Sequence, residues 1–252
     1  MVRSKMTPHI DFDIDPPAKL GVPNLVFIHG AGGDKTQWKN QQSFFQQNGW
    51  GVISLSLPSH GESSSSELSL DKYVRVVQEL VINQNWKNVT LIGHSMGGAI
   101  ALQFALEYPD SLGSLILIGT GAKLRVAPAF FDAIDTDFNR FLELLRRVAF
   151  HEKTPTQVKV TSEEILRRNG GGIFLQDFKI CDSFDIRSYL NKITKKTLII
   201  VGEDDLMTPV KYSKFLQENL VHSHLVIIPE TSHYVFLEKP LAVNNEIYNF
   251  LS

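Results

Sequence analysis

The stretch Gly93-His94-Ser95-Met96-Gly97-Gly98 follows the apolar run Val89-Thr90-Leu91-Ile92 and precedes a helical pattern beginning at Ala99. Strand, sharp turn, serine, helix: this order reads as a nucleophile elbow. A serine in such a turn adopts a strained backbone, and glycines two residues before and after it let strand and helix pack closely around the turn. The hydroxyl is then held up at the carboxyl end of the strand. A G-x-S-x-G match alone also fits a glycine-rich connection, so the remaining chain decides between the two.

A serine nucleophile is weak until a neighbouring imidazole takes its proton, and the imidazole needs a carboxylate to fix its tautomer. Both partners have candidates downstream. The apolar run Thr197-Leu198-Ile199-Ile200-Val201 opens into Gly202-Glu203-Asp204-Asp205-Leu206-Met207-Thr208-Pro209, which places acidic residues in a loop at a strand end. A second run, Leu225-Val226-Ile227-Ile228, leads into Pro229-Glu230-Thr231-Ser232-His233 and then Glu238-Lys239-Pro240. The chain order is serine, acid, histidine.

With these residues the chain resembles the α/β-hydrolase superfamily, in its serine esterase and lipase-like branch with a helical cap. The likeness runs from about Asn24 to the C-terminus. It rests on His29-Gly30-Ala31-Gly32-Gly33, on Leu57-Pro58-Ser59-His60-Gly61-Glu62-Ser63, on the elbow, and on the acid and histidine segments. In the family the acid stands three residues after the strand-ending glycine and four before the proline, so the resemblance implies Asp205 rather than Glu203 or Asp204. The implied catalytic set is Ser95, Asp205 and His233. Acyl transfer also needs two backbone N–H donors aimed at the developing oxyanion. One follows the nucleophile, at Met96; by similarity the other is Ala31, in the loop after the strand Asn24–His29. His60 is expected to be a turn residue, and His29 to support the oxyanion loop. Ser56 and Ser59 stand where the family usually has an aspartate and a glycine.

Alternating strand and helix signals imply an α/β fold with a mainly parallel central sheet, helices on both faces, and ligands at the carboxyl ends of the strands. Residues 10 to 15 alternate Ile10, Phe12 and Ile14 with three aspartates, which suggests a single half-exposed edge strand before the sheet proper. Gly51 to Leu57 reads as a strand. Leu70, Tyr73, Val74, Val77, Leu80 and Val81 then follow at helical spacing. After Gly119 the rhythm breaks. Phe131, Ile134, Phe138, Phe141, Leu142, Leu145 and Val148 form an apolar helical stripe. A capping box, Thr161 with Glu164, is expected to open a further helix that Gly170-Gly171-Gly172 ends, with a third helical segment around Phe174 and Phe178. The expected organisation is a hydrolase core from 1–120 and 191–252, with a helical cap at 121–190. The cap phenylalanines pack onto the core, and one to three of them are expected to face substrate.

Length and composition agree with one core carrying an insertion. The 252 residues are 43% hydrophobic and 21% charged, with a formal net charge of −2. That balance gives no electrostatic ground for nucleic acid or an anionic membrane. The single cysteine, Cys181, excludes an internal disulfide and fits a reducing compartment. No apolar run approaches the roughly 20 residues of a membrane span. A cytoplasmic location is therefore expected. His222-Ser223-His224 lacks the spacing of a zinc site, and no phosphate-binding glycine motif is present, so neither metal nor cofactor is expected.

The expected activity is hydrolysis of carboxylic esters of small to medium, fairly apolar substrates through an acyl-enzyme. The same framework also supports carbon–carbon, amide or lactone cleavage, and a noncatalytic ligand receptor is the alternative outside enzymes.

Overall fold

The computed structural model describes residues 9–18, 21–65, 67–86 and 88–252. The seven strands found there are β1 (Phe12–Asp15), β2 (Asn24–Ile28), β3 (Gly51–Leu55), β4 (Val89–His94), β5 (Leu112–Ile118), β6 (Lys196–Gly202) and β7 (Ser223–Ile228). They form one sheet in the order β1-β3-β2-β4-β5-β6-β7. Only β1 runs antiparallel to its neighbour, β3. Every residue of β3 and β4 is buried, the pattern of strands covered on both faces.

The covering helices are α1 (Lys39–Gln47), α2 (Leu70–Asn83) and α3 (Met96–Glu107) in the first half of the chain. Four more, α4 (Pro128–Thr136), α5 (Phe138–Ala149), α6 (Thr156–Asn169) and α7 (Gly171–Ser183), lie between β5 and β6. The chain closes with α8 (Val210–Asn219), the short α9 (Val235–Glu238) and α10 (Pro240–Leu251). The expected apolar face of α2 is buried, and its start is fixed by Ser69, whose Oγ accepts from the Lys72 amide at 3.2 Å.

As the alternating aspartates suggest, β1 is a half-exposed edge strand, alone before β2 among the described residues. Asp11 and Asp13 both accept from Lys35 Nζ at 2.7 Å. Charge along this rim discourages pairing with another chain.

The inserted helices differ from expectation in two ways. The apolar stripe from Phe131 to Val148 is split between α4 and α5 by Asp137, whose Oδ1 accepts from the Asn139 and Arg140 amides at 2.9 and 3.3 Å. An aspartate that caps a helix outcompetes continuation of the preceding one, because its carboxylate satisfies amides that otherwise have no partner. Nor do Thr161 and Glu164 form a capping box: α6 begins five residues earlier, at Thr156 after Pro155. Pro155 supplies the boundary because proline starts a helix readily but does not continue one. Thr161 sits inside α6, where its hydroxyl accepts from Gln157 Nε2 at 3.2 Å. Gly170, at φ 84°, is the joint at which α6 stops and α7 begins.

The insertion leaves and re-enters the core through a short paired stem, an isolated antiparallel bridge between Lys123 and Asp185, with the Ile186 amide donating to Ala122 O at 2.9 Å and the Leu124 amide to Phe184 O at 3.4 Å. Inside it Phe141, Phe174 and Phe178 pack edge to face, with centroids 4.8 to 5.9 Å apart.

Candidate active site

The elbow places Ser95 between the end of β4 and the start of α3 at φ 53° and ψ −115°. A non-glycine residue there costs about 1–3 kcal/mol and persists only where its surroundings enforce it. Here the Ser95 amide donates to Ile118 O at 2.9 Å, and Thr120 Oγ1 donates to Ser95 O at 2.8 Å. The two flanking glycines are required by close approach. A Cβ on Gly93 would lie 2.2 Å from Gly97 O, and one on Gly97 would lie 2.2 Å from Ile28 O.

The loop after β6 and the loop after β7 bring Asp205 and His233 together. Asp205 Oδ2 faces His233 Nδ1 at 2.9 Å, and Oδ1 accepts from the Met207 and Thr208 amides at 2.9 and 2.8 Å. Burial works against the Asp205 charge, but the adjacent His233 and the Thr208 hydrogen bonds outweigh it and hold this carboxyl below its ordinary range. Asp204 points away and lies 3.5 Å from His151 Nε2. His94 steadies the histidine from behind. Its Nε2 lies 3.0 Å from His233 O, so that nitrogen carries the proton. Burial keeps His94 neutral, with its pKa well below that of a free imidazole.

The loop after β2 passes beside the elbow. Among the described residues neither the Ala31 nor the Met96 amide has a hydrogen-bond acceptor. His29 shapes this loop through a defined tautomer: Nε2 accepts from the Leu57 amide at 2.9 Å, so Nδ1 must donate to Gly30 O at 2.8 Å. Burial, aided by nearby His60, lowers the His29 pKa to about 4 and keeps it neutral.

Three side chains from the inserted helices grip the same loop, and sequence reasoning passed over all of them. Asn169 Nδ2 donates to Gly32 O and Gly33 O at 2.9 and 2.7 Å, while its Oδ1 accepts from the Gly61 amide at 2.9 Å. Arg168 Nη2 donates to Asp34 Oδ2 at 2.6 Å. Asp177 is fully buried; Oδ2 accepts from the Gly32 amide at 2.8 Å and faces His60 Nε2 at 2.8 Å, and Oδ1 accepts from Tyr73 Oη at 2.8 Å. His60 is thus far more than the expected turn residue. Its Nδ1 also faces an acceptor, Pro58 O at 3.0 Å, so both ring nitrogens carry protons. Burial opposes that charge, but Asp177 overcomes it and raises the His60 pKa above the usual imidazole value.

Ser95 and His233 line one small cavity of about 50 Å³. Its other walls are Leu124, Val126, Ala127, Phe130, Phe178, Cys181, Met207 and Thr208, with Arg125 at its margin. Phe130 and Phe178 are therefore the two phenylalanines between β5 and β6 that line the cavity, whereas Phe138 packs 5.6 Å from Phe141. Burial raises the Cys181 pKa, which keeps it a thiol. His222 and His224 are exposed. Among the described residues no group of three or more His, Cys, Asp or Glu side chains is arranged to hold a metal ion. No described helix is long and apolar enough to cross a membrane.

Comparison with known proteins agrees with this architecture. The chain matches the model of the alpha/beta hydrolase family over residues 25–246. It is 27% identical to human protein ABHD8 over 271 aligned positions, covering 99% of this chain and 60% of that protein's length. Among solved structures, a thermophilic esterase shares 30% identity at a TM-score of 0.84, with 96% of this chain and 98% of that one covered. The esterase of Exiguobacterium antarcticum superposes with a TM-score of 0.90 at 21% identity, covering 97% and 96%. The elbow, the parallel sheet that carries it and the extent of the family match lead to one conclusion: this chain belongs to the alpha/beta hydrolase family.

Proposed function

We propose that the protein is a serine hydrolase that cleaves carboxylic esters with a Ser95, His233, Asp205 triad. The observation that carries this reading is the shared cavity, in which a serine on a strained elbow meets a histidine whose far nitrogen is held by a buried carboxylate. Because Nδ1 faces Asp205, its proton stays there and Nε2 presents a lone pair to the cavity. Nε2 takes the Ser95 proton as Oγ attacks the ester carbonyl, and Asp205 stabilises the imidazolium that results. The Ala31 and Met96 amides, free of other acceptors, receive the negative charge on the carbonyl oxygen. Collapse of the tetrahedral intermediate breaks the bond to the alkoxy oxygen, which leaves with the proton from His233. Water, deprotonated by the same nitrogen, then releases the acid and restores Ser95.

In this reading residues 121–190 act as a cap. Their apolar side chains at the cavity, Phe130 and Phe178 with Leu124 and Val126, favour an apolar group next to the reacting carbonyl. Neither metal nor cofactor is needed. Treatment with a fluorophosphonate followed by peptide mass spectrometry tests the assignment: the label is expected on Ser95, with loss of activity. Labelling elsewhere with activity retained would overturn it. Turnover of p-nitrophenyl esters but not of a dione substrate distinguishes ester cleavage from carbon–carbon cleavage.

A further inference from the structure

Beside the small serine cavity lies a larger groove of about 370 Å³, between the stem of the insertion and α8. Arg125 lines both spaces, so the groove and the cavity adjoin at that residue. Its walls carry Lys123, Arg125 and Arg187 on the stem side and Lys211 on α8, over an aromatic floor of Tyr212 and Phe215. Four cations face one space. A single carboxylate, Asp185, is paired with two of them, Lys123 at 3.0 Å and Arg187 at 2.7 Å. Among the described residues Arg125 and Lys211 make no ion pair. Lys211 also borders a neighbouring depression with Glu203 and Asp204, and its Nζ lies 5.9 Å from the centroid of the Tyr212 ring.

We propose that this groove binds an anionic group, a carboxylate or phosphate, carried by the substrate on the side of the scissile bond that leaves the serine cavity past Arg125. The inference rests on the serine-hydrolase reading for what happens at Ser95, but not for the binding itself. Size separates the two ends of the substrate. The serine cavity, at about 50 Å³, holds about three to five water-sized groups, judged against the roughly 10–15 Å³ needed for one. A longer substituent therefore has to leave that cavity, and the groove adjoins it at Arg125. Charge then selects what it carries, since unpaired guanidinium and ammonium groups on an apolar floor favour an anion with a short hydrocarbon arm. The stem hydrogen bonds, Ile186 to Ala122 and Leu124 to Phe184, fix the backbone that carries Lys123 and Arg187, and Asp185 holds both side chains.

The test uses binding and turnover together. Calorimetric titration of the full-length Ser95→Ala variant compares methyl hydrogen adipate and a phosphate-terminated methyl ester of equal length with neutral methyl hexanoate. The acetate ester of 4-hydroxybutanoate is compared with butyl acetate to cover the opposite orientation. At least one anionic probe is expected to bind about tenfold more tightly than its neutral counterpart, with a matching preference in kcat/KM for the wild type. The ratio should fall toward one in the Arg125→Gln, Lys211→Gln double variant, and also in about 1 M NaCl, where the screening length is about 3 Å. Equal affinity for charged and neutral probes, or a preference untouched by the double variant, would overturn the proposal. Anion-selective binding without turnover by the wild type would sustain the groove and remove the hydrolase reading; turnover without selectivity would do the reverse.

Discussion

Asp204 and Asp205 are adjacent in the chain and opposite in surroundings: one is turned to solvent and His151, the other is buried against His233. Asp205→Asn is therefore expected to lower kcat by about 10⁴, since the amide no longer holds the proton on Nδ1. Asp204→Asn should leave kcat within a few-fold of wild type, and steady-state kinetics of the two variants checks the order. Ser95→Ala should cost on the order of 10⁵ to 10⁶ in kcat with the fold intact by circular dichroism. At this scale the chain was readable where a residue's role depends on near neighbours. The sharp turn at Ser95 is marked by its glycines, and the placement of Asp205 beside His233 was an expectation of the family resemblance, through its distance from Gly202 and Pro209. His60 was not readable, because its charge depends on Asp177, which is 117 residues away in the chain.

Among the elements, the inner strands were legible from their short apolar runs, β3 and β4 being buried along their whole length, and the half-exposed β1 from its alternation of apolar residues with aspartates. The inserted helices were legible as helices but not in their bounds, because a continuous apolar stripe does not reveal that Asp137 caps a new helix within it. The grip of Arg168, Asn169 and Asp177 on the loop after β2 was invisible for a related reason: polar residues on a helix normally read as a solvated face. The two phenylalanines at the cavity can be separated from the rest by mutation. Phe130→Ala and Phe178→Ala should shift the acyl-length profile of kcat/KM toward longer chains, by about 1–3 kcal/mol per methylene accommodated. Phe138→Ala, which empties a site away from the cavity, should lower thermal stability and leave that profile unchanged.

For the molecule as a whole, the buried pair of His60 and Asp177 joins three separate regions of the core to the insertion: the loop after β2 through Gly32, the loop after β3 through His60, and α2 through Tyr73. Asp177→Asn leaves a buried imidazole without its counter-charge, a change that costs about 3–5 kcal/mol when a pair of this kind is broken. In a chain of this size that corresponds to a fall in Tm on the order of 10 °C, measurable by differential scanning calorimetry. The sign of the pH dependence follows from the raised His60 pKa. Its contribution is fully present below the unfolded value of about 6.5 and is lost as pH rises through the higher folded value. The Tm gap between wild type and Asp177→Asn should therefore be widest on the acid side of neutrality and narrow with increasing pH. Asp205 acts in the opposite direction: its lowered pKa contributes stability above about 3.9 that is lost as pH falls through the folded value.

The insertion is tied down at both ends, by the paired stem at Ala122 and Ile186 and by the Arg168, Asn169 and Asp177 contacts at the far side. A roof fastened along two opposite edges cannot swing open as a hinged door without breaking buried ionic and amide contacts in every cycle. If substrate enters from the groove proposed above, it reaches Ser95 beside Arg125, and only side chains need to move. Turnover should accordingly contain no large-amplitude opening step, and kcat should stay flat as solvent viscosity is raised with sucrose.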